Sequence, residues 1–356
     1  MNAPARSPAA RSPAEDRTAV APALPVVVLG ASAGGVQALS QLVAALPAGL
    51  AAAVFVVLHI PAHARSELAA VLQRVSRLPV ACATDGEAIE PGRIRVAPPD
   101  RHLVIEPGHV RLTRGPRECR ARPAVDVLFR SAAAAYGPHV IGAVLSGSLD
   151  DGTAGLWAVK DRGGVALAQD PQTAEHRSMP DSASRLVAVD AVLDPGRLGE
   201  EIARRVATME PKVAGPAHER LLIETAIALN GGGSRDDVAR LGTASDYTCP
   251  ECHRVLVRIE EGRLVRFRCH NGHAFSPSTL LADINASIDR GIWDAVRALE
   301  ERGLLLRDLT GMAEQAGHAD AAARCREQAL GTGPRVQALR ELVLDHRFLG
   351  PATDEP

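Results

Sequence analysis

From Leu24 to Met209 the chain alternates short, near-continuously apolar runs with longer amphipathic ones, and this rhythm restricts the fold more than any other feature. The apolar runs are PVVVLG (25–30), AVFVVLH (53–59), RIRVA (93–97), HVIGAVLS (139–146), VALA (165–168) and AVDAVL. Runs rich in Val, Ile and Leu without polar alternation describe strands covered on both faces, as in a parallel sheet. Helix patterns fall between them, from Gly35 to Leu46, Ala64 to Val75, Val125 to Ala135, Thr153 to Arg162, Pro180 to Leu186 and Arg197 to Met209. The order predicts an open, doubly wound, mostly parallel α/β sheet of the Rossmann-like kind. HLVIEPGHVRLTRG interrupts the rhythm, because two short alternating runs flank Pro107-Gly108 and predict a β-hairpin insertion.

Residues 18 to 64 contain no Asp, Glu, Lys or Arg, which raises the question of a membrane span. Pro25, Gly30, Gly34, Gly35, Pro47, Gly49 and Pro61 cut this stretch into pieces far short of ~18 unbroken apolar residues, so no span is expected. Residues 1 to 23 form an Ala/Pro/Arg/Ser tract without an apolar core, read as a disordered tail and not a secretory signal. Forty basic against 42 acidic side chains exclude a surface that grips nucleic acid all over. Six cysteines are too few for a disulfide scaffold and fit a reducing, cytoplasmic setting. Cys82, Cys119 and Cys325 are isolated and read as inert.

The α/β pattern occupies residues 24–210, and 211–245 read as a linker with one helix, Glu219 to Leu229, followed by GGGSRDD. Residues 246–276 hold Cys249-x2-Cys252, sixteen residues, then Cys269-x3-His273: two knuckles joined by a hairpin turning at Glu260-Glu261-Gly262. This is zinc-ribbon spacing, predicting a closed, structural Zn2+ site made by Cys249, Cys252, Cys269 and His273, with His253 and His270 as alternatives for the fourth ligand. Residues 277–346 predict a helical hairpin with Leu281, Ile284, Ile288, Ile292, Val296 and Leu299 on one stripe, and 347–356 a tail.

Ligands of open α/β sheets bind beyond the carboxyl ends of the strands. The first strand runs into Gly30-Ala31-Ser32-Ala33-Gly34-Gly35, whose G-x-S-x-G pattern matches a nucleophile elbow. A dinucleotide fingerprint would need glycine where Ser32 stands, and a P-loop would need Lys and Ser/Thr where Val36 and Gln37 stand. The second strand ends at His59, and the strand from His139 leads to Ser146-Gly147-Ser148-Leu149-Asp150-Asp151-Gly152. A hydroxyl, an imidazole and a carboxylate at three strand ends could serve as nucleophile, general base and orienting acid, although each alone fits a turn, a structural histidine or a helix cap equally well.

GASAGGVQAL, VVLHIP, RVAPPDRHL, RPAVDVLF, VLSGSLDDGTAGL, ALAQDP and SMP, in this order, make residues 25–208 resemble the catalytic domain of chemotaxis protein-glutamate methylesterases, the CheB type. The resemblance implies Ser32 as nucleophile, His59 as base and Asp151 as orienting acid, with Asp150 a neighbouring candidate. It implies hydrolysis of γ-glutamyl methyl esters on chemoreceptors, deamidation of glutamines, and a methyltransferase or sensor-kinase system as further partners. Backbone N–H groups near Ala33 and in the Ser148-Leu149 turn are oxyanion candidates, His102 matches a histidine near the site, and Met179 and Pro180 are candidates to line the crevice. Ser148-Leu149 replaces the family's Met-Gly, and Ala121 stands where many relatives carry histidine. The 23 residues before Leu24 leave no room for the family's receiver domain, so a stand-alone form is expected.

An ion pair between Arg122 and Asp126 is expected to hold the loop before Val125. The competing readings are a catalytically idle signalling adaptor and a nucleic-acid-binding zinc ribbon, the latter prompted by Arg254, Arg258, Arg263, Arg266 and Arg268. No aromatic ladder interleaves these arginines, and Phe267 and Phe275 are expected to pack the small core. The ribbon and hairpin read as a docking or regulatory appendage for a protein partner, with the linker at GGGSRDD separating the core of the ribbon from that of the α/β domain.

Overall fold

The computed structural model describes residues 24–64 and 66–345; the two expected tails at 1–23 and 347–356 lie outside the described residues. Seven parallel strands form the central sheet. In chain order the elements are β1 (Val26–Ala31), α1 (Gly35–Ala45), β2 (Ala53–Leu58), α2 (Leu68–Gln73), β3 (Val80–Cys82), β4 (Arg93–Val96), β5 (His102–Glu106), β6 (His109–Thr113), α3 (Val125–Tyr136), β7 (Val140–Val144), α4 (Thr153–Asp161), β8 (Val165–Gln169), α5 (Ser178–Leu186), β9 (Ala191–Leu193) and α6 (Pro195–Ala207). The sheet order is β3-β4-β2-β1-β7-β8-β9.

The strands are apolar throughout because both faces are covered. Val26, Val28, Phe55 and Val57 pack with Leu128, Phe129 and Leu156 from α3 and α4. Val27, Leu29, Val54 and Val56 turn the other way, onto Leu39 and Leu42 of α1 and Leu198 and Ile202 of α6. This is the period-two alternation of a pleated strand buried in two cores. The expected hairpin is β5 and β6, a separate antiparallel pair whose Leu103 and Ile105 join the α3 side. The short edge strand β3 was absent from the sequence reading: three residues, two of them exposed, carry no burial pattern.

The carboxyl-terminal part continues with α7 (Glu219–Asn230), α8 (Arg235–Ala239), β10 (Thr243–Thr248), β11 (Val255–Glu261), β12 (Leu264–Cys269), β13 (Ala274–Phe275), α9 (Pro277–Gln315), α10 (Ala319–Leu330) and α11 (Thr332–Leu344). The segment expected to be a linker with one helix contains two, and α7 is part of a core: Ala228 packs with Val104, Ala124 and Val127. Ser234 of the GGGSRDD stretch starts α8 through a capping box with Asp237. The expected two-helix hairpin has three helices, because the second member breaks at Gly331 into α10 and α11. Both pack along α9, where Val296, Gly303 and Leu306 are buried. No helix among the described residues is long and apolar enough to cross a membrane.

The ribbon strands β10 to β13 form one antiparallel sheet, and the expected independence of its core from the α/β domain does not hold. Arg268 donates to Glu118 Oε1 and Glu224 Oε1, both at 2.9 Å, and Arg266 grips both oxygens of Glu224 at 2.7 and 2.9 Å. Arg266 also reaches Glu261 at 2.6 Å, while Arg130 of α3 pairs with Glu118. Every one of these groups is buried or nearly so. Two arginines that read as a basic, nucleic-acid-like face therefore point inward. Burial alone would raise the Glu118 carboxyl, but Arg130 and Arg268 hold it below its ordinary value; Glu224 is held well below, against its own burial, by Arg266, Arg130 and Arg268. Removing one partner would strand the others in a dry environment. Glu224→Ala is expected to destabilise the protein by roughly 3–5 kcal/mol in chemical denaturation, and a loss under about 1 kcal/mol would contradict a desolvated network.

Candidate active site

β2, β1 and β7 are adjacent, and the chain leaves β1 into α1 on one face of the sheet but β7 into α4 on the other, so their carboxyl ends border the topological switch point. Ser32 follows β1, His59 follows β2, and Asp151 ends the loop after β7. Between Ala31 and Gly35 only Ser32, Ala33 and Gly34 remain for the turn, and Gly34 takes φ 71°, a left-handed value that a Cβ disfavours. The elbow is fixed from behind. Ser32 N–H donates to the Ser146 carbonyl at 2.9 Å, the Ser146 hydroxyl donates to the Ala33 carbonyl at 2.8 Å, and His59 N–H donates to the Ala31 carbonyl at 3.1 Å. A Cβ at Gly147 would lie 2.8 Å from Ser32 Cβ and 2.0 Å from Met179 Sδ, so glycine is required for the close approach.

His59 Nε2 lies 2.7 Å from Asp151 Oδ2. The same oxygen accepts the Val125 N–H at 2.7 Å, and Asp151 Oδ1 accepts the Asp126 N–H at 3.0 Å, so the carboxylate sits on the amino terminus of α3. Asp126 returns the arrangement. Its Oδ1 accepts the N–H groups of Gly152 and Gly155 at 3.0 and 2.6 Å, at the start of α4. Burial, and then the charge of Asp151, push the Asp126 carboxyl up to about 7. The expected Arg122–Asp126 pair is not formed. Arg122 instead pairs with Asp100, Nη2 to Oδ1 at 2.6 Å, because Asp126 is enclosed beneath α4 while Arg122 stays at the cleft.

Ser32, His59 and Asp151 line one cleft of about 420 Å³ together with Ser148, Leu149, Arg117, Cys119, Arg120, Ala121 and Arg122. The N–H groups of Ala33, Ser148 and Leu149 have no protein acceptor among the described residues. Leu149 sits at φ 63°. His102 does not face the cleft. It is fully buried, its Nδ1 accepts the Ala124 N–H at 3.2 Å, and its Nε2 donates to the Pro116 carbonyl at 2.9 Å. Burial lowers its pKa, so the ring stays neutral and braces the start of α3. Met179 is likewise buried, beneath the Gly147 turn, with its N–H on the Gly147 carbonyl at 2.9 Å; Pro180 is buried beside it. Asp126, Ser146 and Arg120 were not singled out for these roles from the sequence. Only the aspartate directly after RPAV, at the start of a helix pattern, hints at a helix-start acid.

The model of the CheB methylesterase family matches residues 27–202. A Leptospira interrogans (serovar copenhageni) protein, named for methylesterase and glutaminase activities, is 36% identical over 179 residues, which are 50% of this chain and 93% of that protein. This chain belongs to the CheB methylesterase family. The "Protein-glutamate methylesterase/protein-glutamine glutaminase 5" of Anaeromyxobacter dehalogenans (strain 2CP-C) is 42% identical over 183 residues, 50% of each chain. The Thermotoga maritima CheB methylesterase catalytic domain, a crystal structure, is 34% identical, with coverage of 51% of this chain and 98% of that chain and a TM-score of 0.49. The chain spans about half the length of the first of these curated relatives.

The CheB match stops before the metal-type cluster, which is additional. Cys249, Cys252, Cys269 and His273 bring four donor atoms within 4.8 Å of one another, a group that could bind a metal ion. Cys249 Sγ and Cys269 Sγ lie 3.6 and 3.5 Å from His273 Nδ1, and Cys252 Sγ lies 3.6 Å from Cys269 Sγ. His253 and His270, the alternatives for the fourth position, are not in the group.

Asp150, the neighbouring acid candidate, turns away from His59 and accepts the Ser276 hydroxyl at 2.7 Å. Burial, with the charge of Asp151 added, pushes it up to about 6 in spite of that hydrogen bond. A carboxyl raised in the folded state favours folding fully below its unfolded value and loses that contribution as pH rises through the folded one. Asp150→Asn, which cannot ionise, is therefore expected to gain stability over the parent between about pH 4 and about pH 6, measured by denaturation at both ends. A constant difference across that window would show that Asp150 is not buried as a carboxyl.

Proposed function

We propose that this CheB-family chain is a protein-glutamate methylesterase that also deamidates glutamine side chains, acting on methylated chemoreceptor-like proteins in the cytoplasm. The observation that carries the reading is the His59 Nε2 to Asp151 Oδ2 contact of 2.7 Å at the wall of the cleft that Ser32 lines. With Nε2–H donated to the carboxylate, Nδ1 is the unprotonated nitrogen and the base available to Ser32. His59 takes the Ser32 proton as Oγ bonds to the ester carbonyl carbon, giving a tetrahedral oxyanion. The N–H groups of Ala33, Ser148 and Leu149 are the candidates to hold that charge. Collapse of the intermediate breaks the carbon–oxygen bond, and His59 hands its proton to the leaving methoxide, releasing methanol. Water then attacks the acyl-enzyme, giving up a proton to His59, and Ser32 leaves with that proton restored. A glutamine follows the same path with ammonia as leaving group.

Ser32→Ala and His59→Gln are each expected to lower methanol release from a methyl-esterified receptor peptide by several orders of magnitude, and the double variant to be scarcely worse, because the pair acts as a unit. Asp151→Asn should lose turnover strongly and Asp150→Asn little. Additive losses, or the opposite ranking of the two aspartates, would remove these assignments.

The metal reading is a structural Zn2+. Bonds of about 2.3 Å to sulfur and about 2.0–2.1 Å to nitrogen in a tetrahedron separate the ligand atoms by about 3.5–3.8 Å, which supports zinc for a group with spacings of 3.5 and 3.6 Å. Four protein ligands leave no open position, so the ion would be structural and take no part in the bond-making steps. About one zinc per chain is expected by elemental analysis of purified protein, falling to background in Cys252→Ser; equal content in both would dismiss the site.

A further inference from the structure

We infer that the ribbon and the first turns of α9 are the brace that shapes the cleft, with Arg268, Ser276 and Asp283 as positioning residues for the reaction. This rests on the esterase reading of Ser32. One wall of the cleft is the turn Glu118–Ala121 with its neighbours. Cys119 and Arg120 there have φ of 47° and 67°, two successive non-glycine residues in the left-handed region. Such a backbone is unfavourable by itself and persists where surrounding structure over-determines it.

The structure that does so is the ribbon. Cys119 N–H donates to the Ala274 carbonyl at 2.9 Å and Ala274 N–H to the Arg117 carbonyl at 3.3 Å, so the turn pairs with β13. Ala274 directly follows His273 of the metal group. Arg268, one residue before Cys269, holds the Glu118 carboxylate, and Asp283 of α9 holds Arg120 at 2.8 Å. The opposite wall is held by the same module, because the Ser276 hydroxyl at the start of α9 donates to Asp150, next to Asp151. A metal bound by the four ligands would fix the positions of Arg268 and Ala274 at two of its own ligands, and through them the strained turn.

The test uses the full chain. Hydrogen exchange and the rate at which a fluorophosphonate labels Ser32 are measured with zinc, after chelation, and after zinc is restored. The Cys119 amide is expected to lose protection on chelation while β1 and β7 amides keep theirs, and labelling to slow roughly tenfold to a hundredfold, reversibly, as expected for misplacement near an ångström. An unchanged Cys119 amide or an unchanged labelling rate overturns the inference. Should β1 and β7 also open, the Ser276→Ala/Asp283→Ala variant, which keeps all four ligands, decides. A roughly tenfold fall in kcat with KM nearly constant, partly restored by Ser276→Thr, supports the brace, and parental kinetics refute it. A zinc-loaded chain whose Ser32 is never labelled would instead defeat the esterase reading, and the exchange data would still judge the brace.

Discussion

Asp151 and Asp126 exchange helix starts, and the geometry of the cleft hangs on that exchange. Asp151 follows β7 and receives two N–H groups from the first turn of α3; Asp126 lies in that turn and receives two from the start of α4. Each carboxylate satisfies donors that a helix cannot satisfy internally and sits at the positive end of a dipole. Neither helix can shift without exposing the other's carboxylate. One Asp151 oxygen is shared between the Val125 N–H and His59, so the helix that anchors the acid also sets the direction of the imidazole. His102 extends the anchor by accepting the Ala124 N–H, one residue before α3 begins.

The second constraint is the dry cluster of arginines and carboxylates where the ribbon meets the α/β domain. Such a cluster gains little over apolar packing, yet it is intolerant of separation, since parting the surfaces strands several unpaired charges at once. Glu118 belongs to both halves: one oxygen faces Arg130 on α3 and the other faces Arg268 on β12. That shared residue places the carboxyl-terminal module against the cleft wall, where a flexible tether would have left it free to move.

Much of this is legible in the amino-acid sequence. Unbroken apolar strands demanded helices on both faces, and a parallel sheet brings strand ends to one edge, so Ser32, His59 and Asp151 could be picked out as strand-end residues. The Cys-x2-Cys and Cys-x3-His spacings defined the metal group for a similar reason: knuckle ligands are close in sequence, and local geometry restricts them. His102 and Met179 were misplaced as cleft residues because a motif records proximity to a site and not which way a side chain turns. Burial decides that, and both are fully enclosed.

The sequence by itself determined the order of the main strands and helices of the α/β part, the strand-to-helix turn at Ser32 and the four donors of the ribbon, because these depend on periodicity and on neighbours a few residues apart. Tertiary structure alone decided that Arg122 pairs with Asp100 and not Asp126, that Arg266 and Arg268 are interior, and that the ribbon is joined to the cleft. Those outcomes turn on charges as far apart as Glu118 and Arg268 meeting in a space without water. An arginine in a strand looks the same in sequence whether it faces solvent or a buried carboxylate, and only the partner's position tells them apart.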